Sequence, residues 1–458
     1  MKKLIFLILL FTLILSGFSK RPEIKDIREI AQDHRIFTMR QEEKFNRLDT
    51  ELQKKADAFY NKTFFSPWHR EESSYSLDEM KWEFEKYSKN QGYGKKGKKH
   101  PRTWVKKLIA NAHIEDYPNG CFPAITLQNT DMRVLPTSDA HLSASRNCVL
   151  PFDNMQNSAT AADTPIYVSH IAKDKKWVLA ETHFAKGWIP TRHIARVDAD
   201  FMKRWESAPY VVIVKDKTPI YKDKRKPFFY AQLGSFFPKV GEDGKALQIL
   251  IAVTGKQGKA AIKKILVPKE TAALKPLPLT ATKMAEIANE LMNEPYGWGG
   301  LGRRRDCSST LMDIFAPFGI WLPRNSSHQA KETGVIVSLR ELSPEEKEKT
   351  ILKQGIPYFT ILWLKGHVML YIGEQEGRVL VFHNFWSIRT RDDSGKKGRQ
   401  IVGRAAITTL QPGQELRQEE GSGGILHGIL GMTFLWPPPG TVNCPEEGEN
   451  HITPNRKI

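Results

Sequence analysis

The spacing of apolar residues divides the chain into regions of different secondary structure. In the first region apolar residues recur every three to four positions, as at Ile24, Ile27, Ile30, Phe45, Leu48 and Leu52. This period matches one face of an α-helix. Ser76 is followed three residues later by Glu79, the spacing of a helix capping box. We therefore predict a helical segment over residues 20–115.

After residue 115 the pattern changes to short runs rich in β-branched and aromatic residues, several of them separated by turn residues. The runs are residues 124–127, 164–168, 177–180, 187–190, 210–214, 219–221, 247–253 and 260–262. Short strands at intervals of about 8–12 residues are typical of small barrels. We predict two of them, over residues 116–205 and 206–274.

Residues 275–411 have a third pattern. Two prolines interrupt residues 275–279 and indicate a linker. Helical patterns then begin near Thr282 and Cys307, and three strand-like runs follow at residues 358–385. Helices followed by antiparallel strands predict an α+β domain. Residues 412–458 are rich in glycine and proline and are predicted to be mostly a loose tail.

Residues 1–19 have the features of a secretory signal: Lys2 and Lys3, an apolar stretch, then small residues up to Ser19. Phe18 stands where a lipoprotein box would need cysteine, so we predict export without a lipid anchor. In an oxidising compartment Cys121 and Cys148 could form a disulfide.

The net charge is +18. No basic helix or aromatic–basic RNA motif accompanies this charge, so nucleic acid is not the expected partner. A general attraction to an anionic cell envelope fits an exported chain better.

Cys307 is the strongest candidate for a reactive residue. Asp306 before it has the character of a helix N-cap, which places Cys307 in the first turn of a helix. The helix dipole lowers the pKa of a thiol there, and the backbone N–H groups could bind an oxyanion. The alternative is a buried structural cysteine.

Two histidines follow on successive strand-like runs. If residues 374–376 form a three-residue hairpin loop, Gly373 faces Gly377 and His367 lies opposite His383. His367 would then be a general base that His383 orients. The alternative is two unrelated histidines, as His328 and His427 are taken to be. Neither a metal nor another cofactor is expected, because the chain lacks paired cysteine spacing and a His-Glu-x-x-His motif.

These residues resemble the NlpC/P60 family of papain-like cysteine peptidases, which cut bacterial cell-wall peptides. The likeness rests on Tyr296-x-Trp298-Gly299-Gly300, Asp306-Cys307-Ser308-Ser309, Leu322-Pro323-Arg324, Gly366-His367-Val368 and His383. Upstream, residues 132–137, 152–158 and 187–190 are similar to bacterial SH3 (SH3b) domains. The resemblance implies a helical segment, two SH3b barrels and a peptidase domain.

The resemblance also assigns roles. It implies Cys307 as nucleophile, His367 as base and His383 as third member of a Cys-His-His triad. It implies cleavage of the γ-D-glutamyl–diamino acid bond of murein peptides. Family members that require a free N-terminal L-Ala hold it with a tyrosine, with the residues that flank the nucleophile and with the pair of residues after Leu-x-Arg. In this chain they are Tyr296, Asp306, Ser308, Asn325 and Ser326, with Trp298 in the same substrate-binding motif.

Asn325 replaces the acidic residue that would pair with an ammonium group. The resemblance therefore does not imply that the substrate needs a free amino end. The SH3b domains could bind wall polymer or pack on the peptidase and close its groove, and the short linker favours packing. An acyltransferase or amidase on the same fold, and a wall-binding protein with an inactive catalytic domain, are alternative functions.

Overall fold

The computed structural model describes residues 23–437, apart from residues 47–48, 89–90, 144–151, 208, 224–225, 392–393, 395–396 and 417–423. Residues 1–19 and Cys148 lie outside the described residues. Export and the Cys121–Cys148 disulfide therefore stay predictions. In the part of the chain that is described, no helix is long and apolar enough to cross a membrane.

The N-terminal segment is helical, as predicted. Its helices are α1 Lys25–Glu29, α2 His34–Thr38, α3 Glu42–Asn46, α4 Thr50–Phe65, α5 Leu77–Ser88 and α6 Trp104–Ala112. The capping box before α5 is present: Ser76 N–H donates to the Glu79 carboxylate, and Glu79 N–H donates to Ser76 Oγ. The segment packs on the other domains. For example, Gln53 Nε2 donates to the carbonyl oxygens of Leu277 and Phe318.

The first β domain is a seven-stranded sheet with the strand order β3-β2-β6-β5-β4-β1-β7. Its strands are β1 Phe122–Thr126, β2 Thr130–Arg133, β3 Gln156–Thr160, β4 Pro165–Ile171, β5 Trp177–Glu181, β6 Lys186–Pro190 and β7 Ile194–Arg196. Met132, Val168 and Ile189 are fully buried and share one core in this domain, as expected for the inward-facing positions of a small barrel.

Helix α7, Ala199–Glu206, leads to the second β domain. Its strands are β8 Tyr210–Ile213, β9 Thr218–Ile220, β10 Phe229–Ala231, β11 Phe236–Asp243, β12 Ala246–Thr254, β13 Ala260–Pro268 and β14 Ala272–Leu274. Five of them form a sheet in the order β13-β12-β11-β8-β14, and β9 pairs with β10.

The C-terminal domain packs helices on one antiparallel sheet, which confirms the α+β prediction. Its elements are α8 Ala281–Glu290, α9 Cys307–Phe315, α10 Ser326–Glu332, β15 Val335–Ser338, α11 Pro344–Gln354, β16 Thr360–Leu364, β17 His367–Gln375, β18 Arg378–Arg391, β19 Lys397–Thr409, α12 Ile425–Gly428 and β20 Ile429–Phe434. The strand order is β15-β20-β16-β17-β18-β19. Leu311 and Ile314 of α9 share a buried core with Leu370 and Phe382 of the sheet, which fixes α9 across β17 and β18.

The prediction of a mostly loose tail from residue 412 was wrong for part of this region. Strand β20 lies inside the sheet, paired with β15 on one side and β16 on the other. Met432 and Leu435 are fully buried there. The glycine-rich stretch before this strand obscured the apolar run Ile429–Phe434, whose burial explains its place in the sheet.

Candidate active site

Helix α9 begins at the predicted nucleophile. Asp306 is its N-cap and accepts a hydrogen bond from Ser309 N–H at 3.0 Å, while Asp306 N–H donates to Ser309 Oγ at 3.0 Å. This reciprocal pair is a capping box and confirms the N-cap prediction. Cys307 therefore occupies the first turn, where its side chain is 7% exposed.

The surroundings of the thiol favour its neutral form. Burial, and then the negative charge of Asp306, raise the pKa of Cys307 to about 12, although the N–H groups of Val368 and Ser308 oppose the shift. Burial thus outweighs the lowering expected from the helix start alone. The contact of Val368 N–H with the thiol also places the beginning of β17 beside the nucleophile.

The two predicted histidines are in contact. His367 Nε2 lies 2.9 Å from His383 Nδ1, and His383 Nε2 lies 3.0 Å from Thr408 Oγ1. Because Nε2 of His367 faces His383, Nδ1 is the ring nitrogen left for the thiol. Burial lowers the pKa of His367 to about 4. Burial and the neighbouring His367 also lower the pKa of His383, so both rings are neutral at pH 7.

The hairpin that brings the histidines together differs from the predicted one. Gln375 pairs with Arg378, so the turn has two residues, and Gly373 pairs with Leu380 rather than Gly377. A bulge at Ile372 then shifts the pairing, so that Leu370 faces Phe382. Continued along the strands, this register makes His367 and His383 diagonal neighbours on one face.

The bulge at Ile372 decides which face each histidine occupies. Without it, the register of the turn would pair Leu370 with His383 and send the histidines to opposite faces, because side chains alternate along a strand. The sequence analysis therefore predicted correctly that the histidines share a face, although the loop on which it relied was wrong.

Asp306 has a second role beside the nucleophile. Arg324 Nη2 donates to Asp306 Oδ2 at 2.6 Å, and Arg324 Nη1 donates to Ser308 Oγ at 2.8 Å. Although burial opposes it, the charge of Arg324 lowers the pKa of Asp306. Asp306 is thus ionised but already paired, so its charge is balanced within the fold.

The first β domain forms one wall of the site. Gln156 Nε2 donates to the Gly299 carbonyl at 3.0 Å, and Arg324 Nε donates to Ser158 Oγ at 3.0 Å. Gly299 and Gly300 have φ of +59° and +77°. A Cβ atom on Gly299 would lie 2.9 Å from Gln156 Cγ, and one on Gly300 would lie 2.8 Å from Ala159 Cβ. The paired glycines therefore allow strand β3 to approach the peptidase.

Aromatic side chains of the two domains also meet beside this contact. Trp298 is 42% exposed, and its ring lies 5.0 Å from that of Phe152 of the first β domain. Tyr296 is half-buried and lies 6.4 Å from Phe152 and 6.2 Å from Trp386. Burial, and then the nearby acidic groups Cys307 and Asp306, raise the pKa of Tyr296. The phenol is thus neutral and close to the nucleophile.

The predicted residues Asn325 and Ser326 are placed differently. Asn325 is exposed, and its Oδ1 accepts from Ser327 N–H at 2.8 Å as the N-cap of α10. Ser326 is half-buried in the first turn of that helix. Across the described residues, no hydrogen bond joins either side chain to Cys307.

The second β domain contacts the nucleophile helix through buried charges. Arg305 is 1% exposed and donates to both carboxylate oxygens of Asp216, at 2.6 and 2.9 Å. Its Nε donates to Asp313 Oδ2 at 2.6 Å. Although burial opposes it, Arg305 lowers the pKa of Asp216 to about 2. Because Arg305 precedes Asp306, this network fixes the chain immediately before Cys307.

Sequence reasoning missed several of these residues. Arg305, Asp216 and Thr408 carried no motif signal that pointed to the site. Asn384, next to His383, was also missed: its Nδ2 donates to the carbonyl oxygens of Glu294 and Arg305 and joins β18 to the loop before α9. Gln156 and Ser158 belonged to the SH3b-like motif, but the motif did not show that they reach the peptidase.

Four family models match the chain. The NLPC_P60 stabilising domain matches residues 4–117, an SH3 domain of SH3b1 type residues 147–190, an SH3 domain of SH3b2 type residues 198–244, and the NlpC/P60 family residues 293–384. The chain is an NlpC/P60 protein with two SH3b domains. The last match contains Cys307, His367 and His383, and the family is one of cysteine peptidases.

One solved structure agrees with this assignment over most of its length. An NlpC/P60 endopeptidase from Photobacterium damselae subsp. piscicida is similar with a TM-score of 0.78 and 25% identity, over 91% of this chain and 98% of that chain. An NlpC/P60 family protein from Bacillus cereus has 17% identity over 68% of this chain and 98% of that chain, with a TM-score of 0.43. No curated protein matches.

Proposed function

We propose that this NlpC/P60 protein is an exported endopeptidase that hydrolyses the γ-D-glutamyl–diamino acid bond of murein peptides through Cys307, His367 and His383. The observation that carries the proposal is the juxtaposition at the start of α9. The Val368 N–H donates to the Cys307 thiol. His367, the residue before Val368, is hydrogen-bonded to His383 at 2.9 Å.

The reaction begins with neutral groups. Cys307 Sγ attacks the γ-carbonyl carbon while its proton passes to His367 Nδ1. The N–H groups at the start of α9 stabilise the oxyanion. His367 then gives the proton to the departing amine, and the C–N bond breaks to leave a thioester on Cys307. A water molecule, deprotonated by His367, hydrolyses the thioester and regenerates the thiol.

The first SH3b domain favours peptides over intact wall as the substrate. It packs against the peptidase through Gln156 and Ser158 and brings Phe152 to within 5.0 Å of the exposed Trp298. We expect this wall to close one end of the substrate groove, which would suit the end of a peptide stem. The predicted signal at residues 1–19 would place the enzyme where such stems occur.

Asp306 and Asn325 predict whether the enzyme requires a free amino group on its substrate. Asp306 is ion-paired with Arg324, and Asn325, which carries no charge, caps α10. An ammonium group therefore finds no unpaired carboxylate at either predicted position. We expect the enzyme to cleave peptides with a free or an acetylated N-terminal L-Ala at similar rates, since neither position offers an unpaired carboxylate to bind the ammonium group.

The test is incubation of residues 20–458 with L-Ala-γ-D-Glu-meso-diaminopimelate and its N-acetylated form, followed by mass spectrometry. Cleavage of both peptides at the γ-D-glutamyl bond, lost in Cys307→Ala, is the expected result. Cleavage of only the free-amine peptide would contradict the expected tolerance of the amino end.

Two other outcomes would overturn the proposed reaction. Transfer of the acyl group to an added amine, without hydrolysis, would identify an acyltransferase. Tight binding to sacculi without turnover of either peptide would identify a binding protein. The Cys307→Ala variant is the control for folding, checked by circular dichroism, since the small side chain removes only the thiol from a buried position.

A further inference from the structure

A row of polar side chains continues beyond the triad across three neighbouring strands. His367 is on β17, His383 on β18 and Thr408 on β19, and the two contacts measure 2.9 and 3.0 Å. His383 pairs with Ala406 across the strands, so Thr408 is its diagonal neighbour on the same face. Thr408 is fully buried. It cannot touch a substrate, so any effect on the reaction passes through His383.

The hydrogen bonds of Thr408 fix the direction of the row. Its hydroxyl lies 2.7 Å from the carbonyl oxygen of Thr409, which can only accept. A hydroxyl has one proton to donate. That proton is directed to Thr409, and Thr408 Oγ1 therefore accepts from His383, whose Nε2 carries the proton.

The remaining assignments follow from neutral rings. Burial, and then His367, lower the pKa of His383, so the ring carries a single N–H at neutral pH. With that proton on Nε2, Nδ1 of His383 is an acceptor. His367 must then donate its own Nε2–H across the 2.9 Å contact, which leaves a lone pair on His367 Nδ1. This is the nitrogen that a general base needs to present to a thiol.

The opposite orientation would disable the base. If Thr408 donated to His383 Nε2, the Nδ1–H of His383 would point at His367 Nε2. The proton of His367 would then sit on Nδ1 and face the S–H of Cys307, and no atom there could accept the thiol proton. One hydroxyl two strands away thus selects between an active and an inactive arrangement.

The strand that carries Thr408 is held by the N-terminal segment. Gln32 Oε1 accepts from Ile407 N–H at 2.9 Å, and Asp26 Oδ2 accepts from Thr409 N–H at 2.7 Å. These contacts give hydrogen-bond partners to the backbone N–H groups of the edge strand β19 on both sides of Thr408. The position of the hydroxyl is therefore set by side chains of a separate segment that bind the backbone of β19.

We propose that Thr408 is a positioning residue that sets the tautomers of His383 and His367, so that His367 presents its Nδ1 lone pair to Cys307. This inference rests on the proposed function and deepens it. It assigns a role to a residue outside the triad and links the N-terminal segment to the reaction.

The kinetic test compares Thr408→Val with Thr408→Ser in the full chain. Valine keeps the size but cannot accept a hydrogen bond, whereas serine can. At metal sites, loss of the partner that orients a ligand histidine costs roughly 10- to 100-fold, and we take the same range for a histidine that orients a general base. We expect kcat of Thr408→Val to fall by that factor with KM unchanged, and the acid limb of its pH profile to move to lower pH. Thr408→Ser should recover most of kcat and restore the limb.

A second measurement does not depend on turnover. In Cys307→Ala protein labelled with ¹⁵N-histidine, the ¹⁵N shifts of His367 and His383 at pH 7 report which nitrogen carries the proton. We expect Nε2–H on both rings, retained with Thr408→Ser and lost or mixed at His383 with Thr408→Val. Assignment uses His367→Ala and His383→Ala.

The outcomes separate the two claims. An Nδ1–H tautomer of His383 in the protein with Thr408 overturns the inference whether or not the enzyme cleaves peptides. Equal kcat in wild type and Thr408→Val overturns it while leaving the proposed function intact. If both rings carry the proton on Nε2 but the wild-type protein cleaves neither peptide, the inference is supported. Only the proposed reaction is then contradicted.

Discussion

The two sides of the active site are built in different ways. The reactive side, with Cys307 on α9 and His367 and His383 on neighbouring strands, lies within one domain. The opposite side is assembled between domains, by Gln156 and Ser158 of the first SH3b domain and by Asp216 of the second. We infer that chemistry depends on local geometry, whereas the shape of the groove and the stability of its assembly depend on docking.

Substitution of the base is the strongest test of this division. His367→Ala removes the acceptor for the thiol proton, so we expect kcat to fall by about 10²–10⁴-fold with the fold intact. His328→Ala is the matched control, because its side chain is 58% exposed on α10. Steady-state cleavage of the tripeptide measures both variants. Equal losses in the two would show that the reactive side does not depend on His367.

The pH dependence of alkylation tests the state of the nucleophile. Burial raises the pKa of Cys307 to about 12, so the reactive thiolate becomes more abundant throughout the range from pH 7 to 10. We expect its iodoacetamide rate to rise about tenfold per pH unit, or about 10³-fold over that range. The protein is first reduced, and peptide mapping separates Cys307 from the exposed Cys121, which serves as the reference. A fast, flat rate above pH 5 would indicate a preformed thiolate.

Substitution on the opposite side, where domains meet, should affect the stability of the protein more than its chemistry. Asp216→Asn removes the charge that pairs with the buried Arg305, and breaking such a pair costs about 3–5 kcal/mol. Urea unfolding measures this loss, and we expect kcat of the folded fraction to change little. Asp243→Asn, at an exposed position in the same domain, is the control. A large fall in kcat without loss of stability would show that the contacts between domains also control the chemistry.

The smallest expected effect is at Ser158. Ser158→Ala removes one of the hydrogen bonds to Arg324, which keeps its bonds to Asp306 and Ser308. We expect KM for the tripeptide to rise about 2- to 10-fold with kcat unchanged, the effect of ~0.5–1.5 kcal/mol. Ser138→Ala, at an exposed position of the first SH3b domain, should match wild type. A fall in kcat alone would assign Ser158 to the reactive side.

The sequence was informative where local rules apply. The Asp306 cap, the start of α9 and the helical N-terminal segment follow from side chains that bond within a few residues of themselves. The resemblance motifs predicted the order of the domains, which the family models confirm. The shared face of His367 and His383 was also predicted, but from an assumed loop, and the bulge at Ile372 is what places the two side chains together.

The sequence was less informative where geometry depends on distant residues. The bulge at Ile372 changes the register, and Gly373 beside it has φ of +131°, but a glycine inside a strand does not by itself specify a bulge, so the loop prediction failed. The contact of Gln156 with Gly299 spans 143 positions, and no local pattern encodes it. Strand β20 was taken for a tail because its partners β15 and β16 lie far earlier in the chain.

The central claim is that Cys307 forms a thioester with the γ-D-glutamyl group. The direct measurement is rapid acid quench of the enzyme with the tripeptide, followed by mass spectrometry of the peptide that contains Cys307. We predict a mass increase equal to the L-Ala-γ-D-Glu acyl group on Cys307, absent in Cys307→Ala. Cleavage of the tripeptide by Cys307→Ala at the wild-type rate would contradict the account.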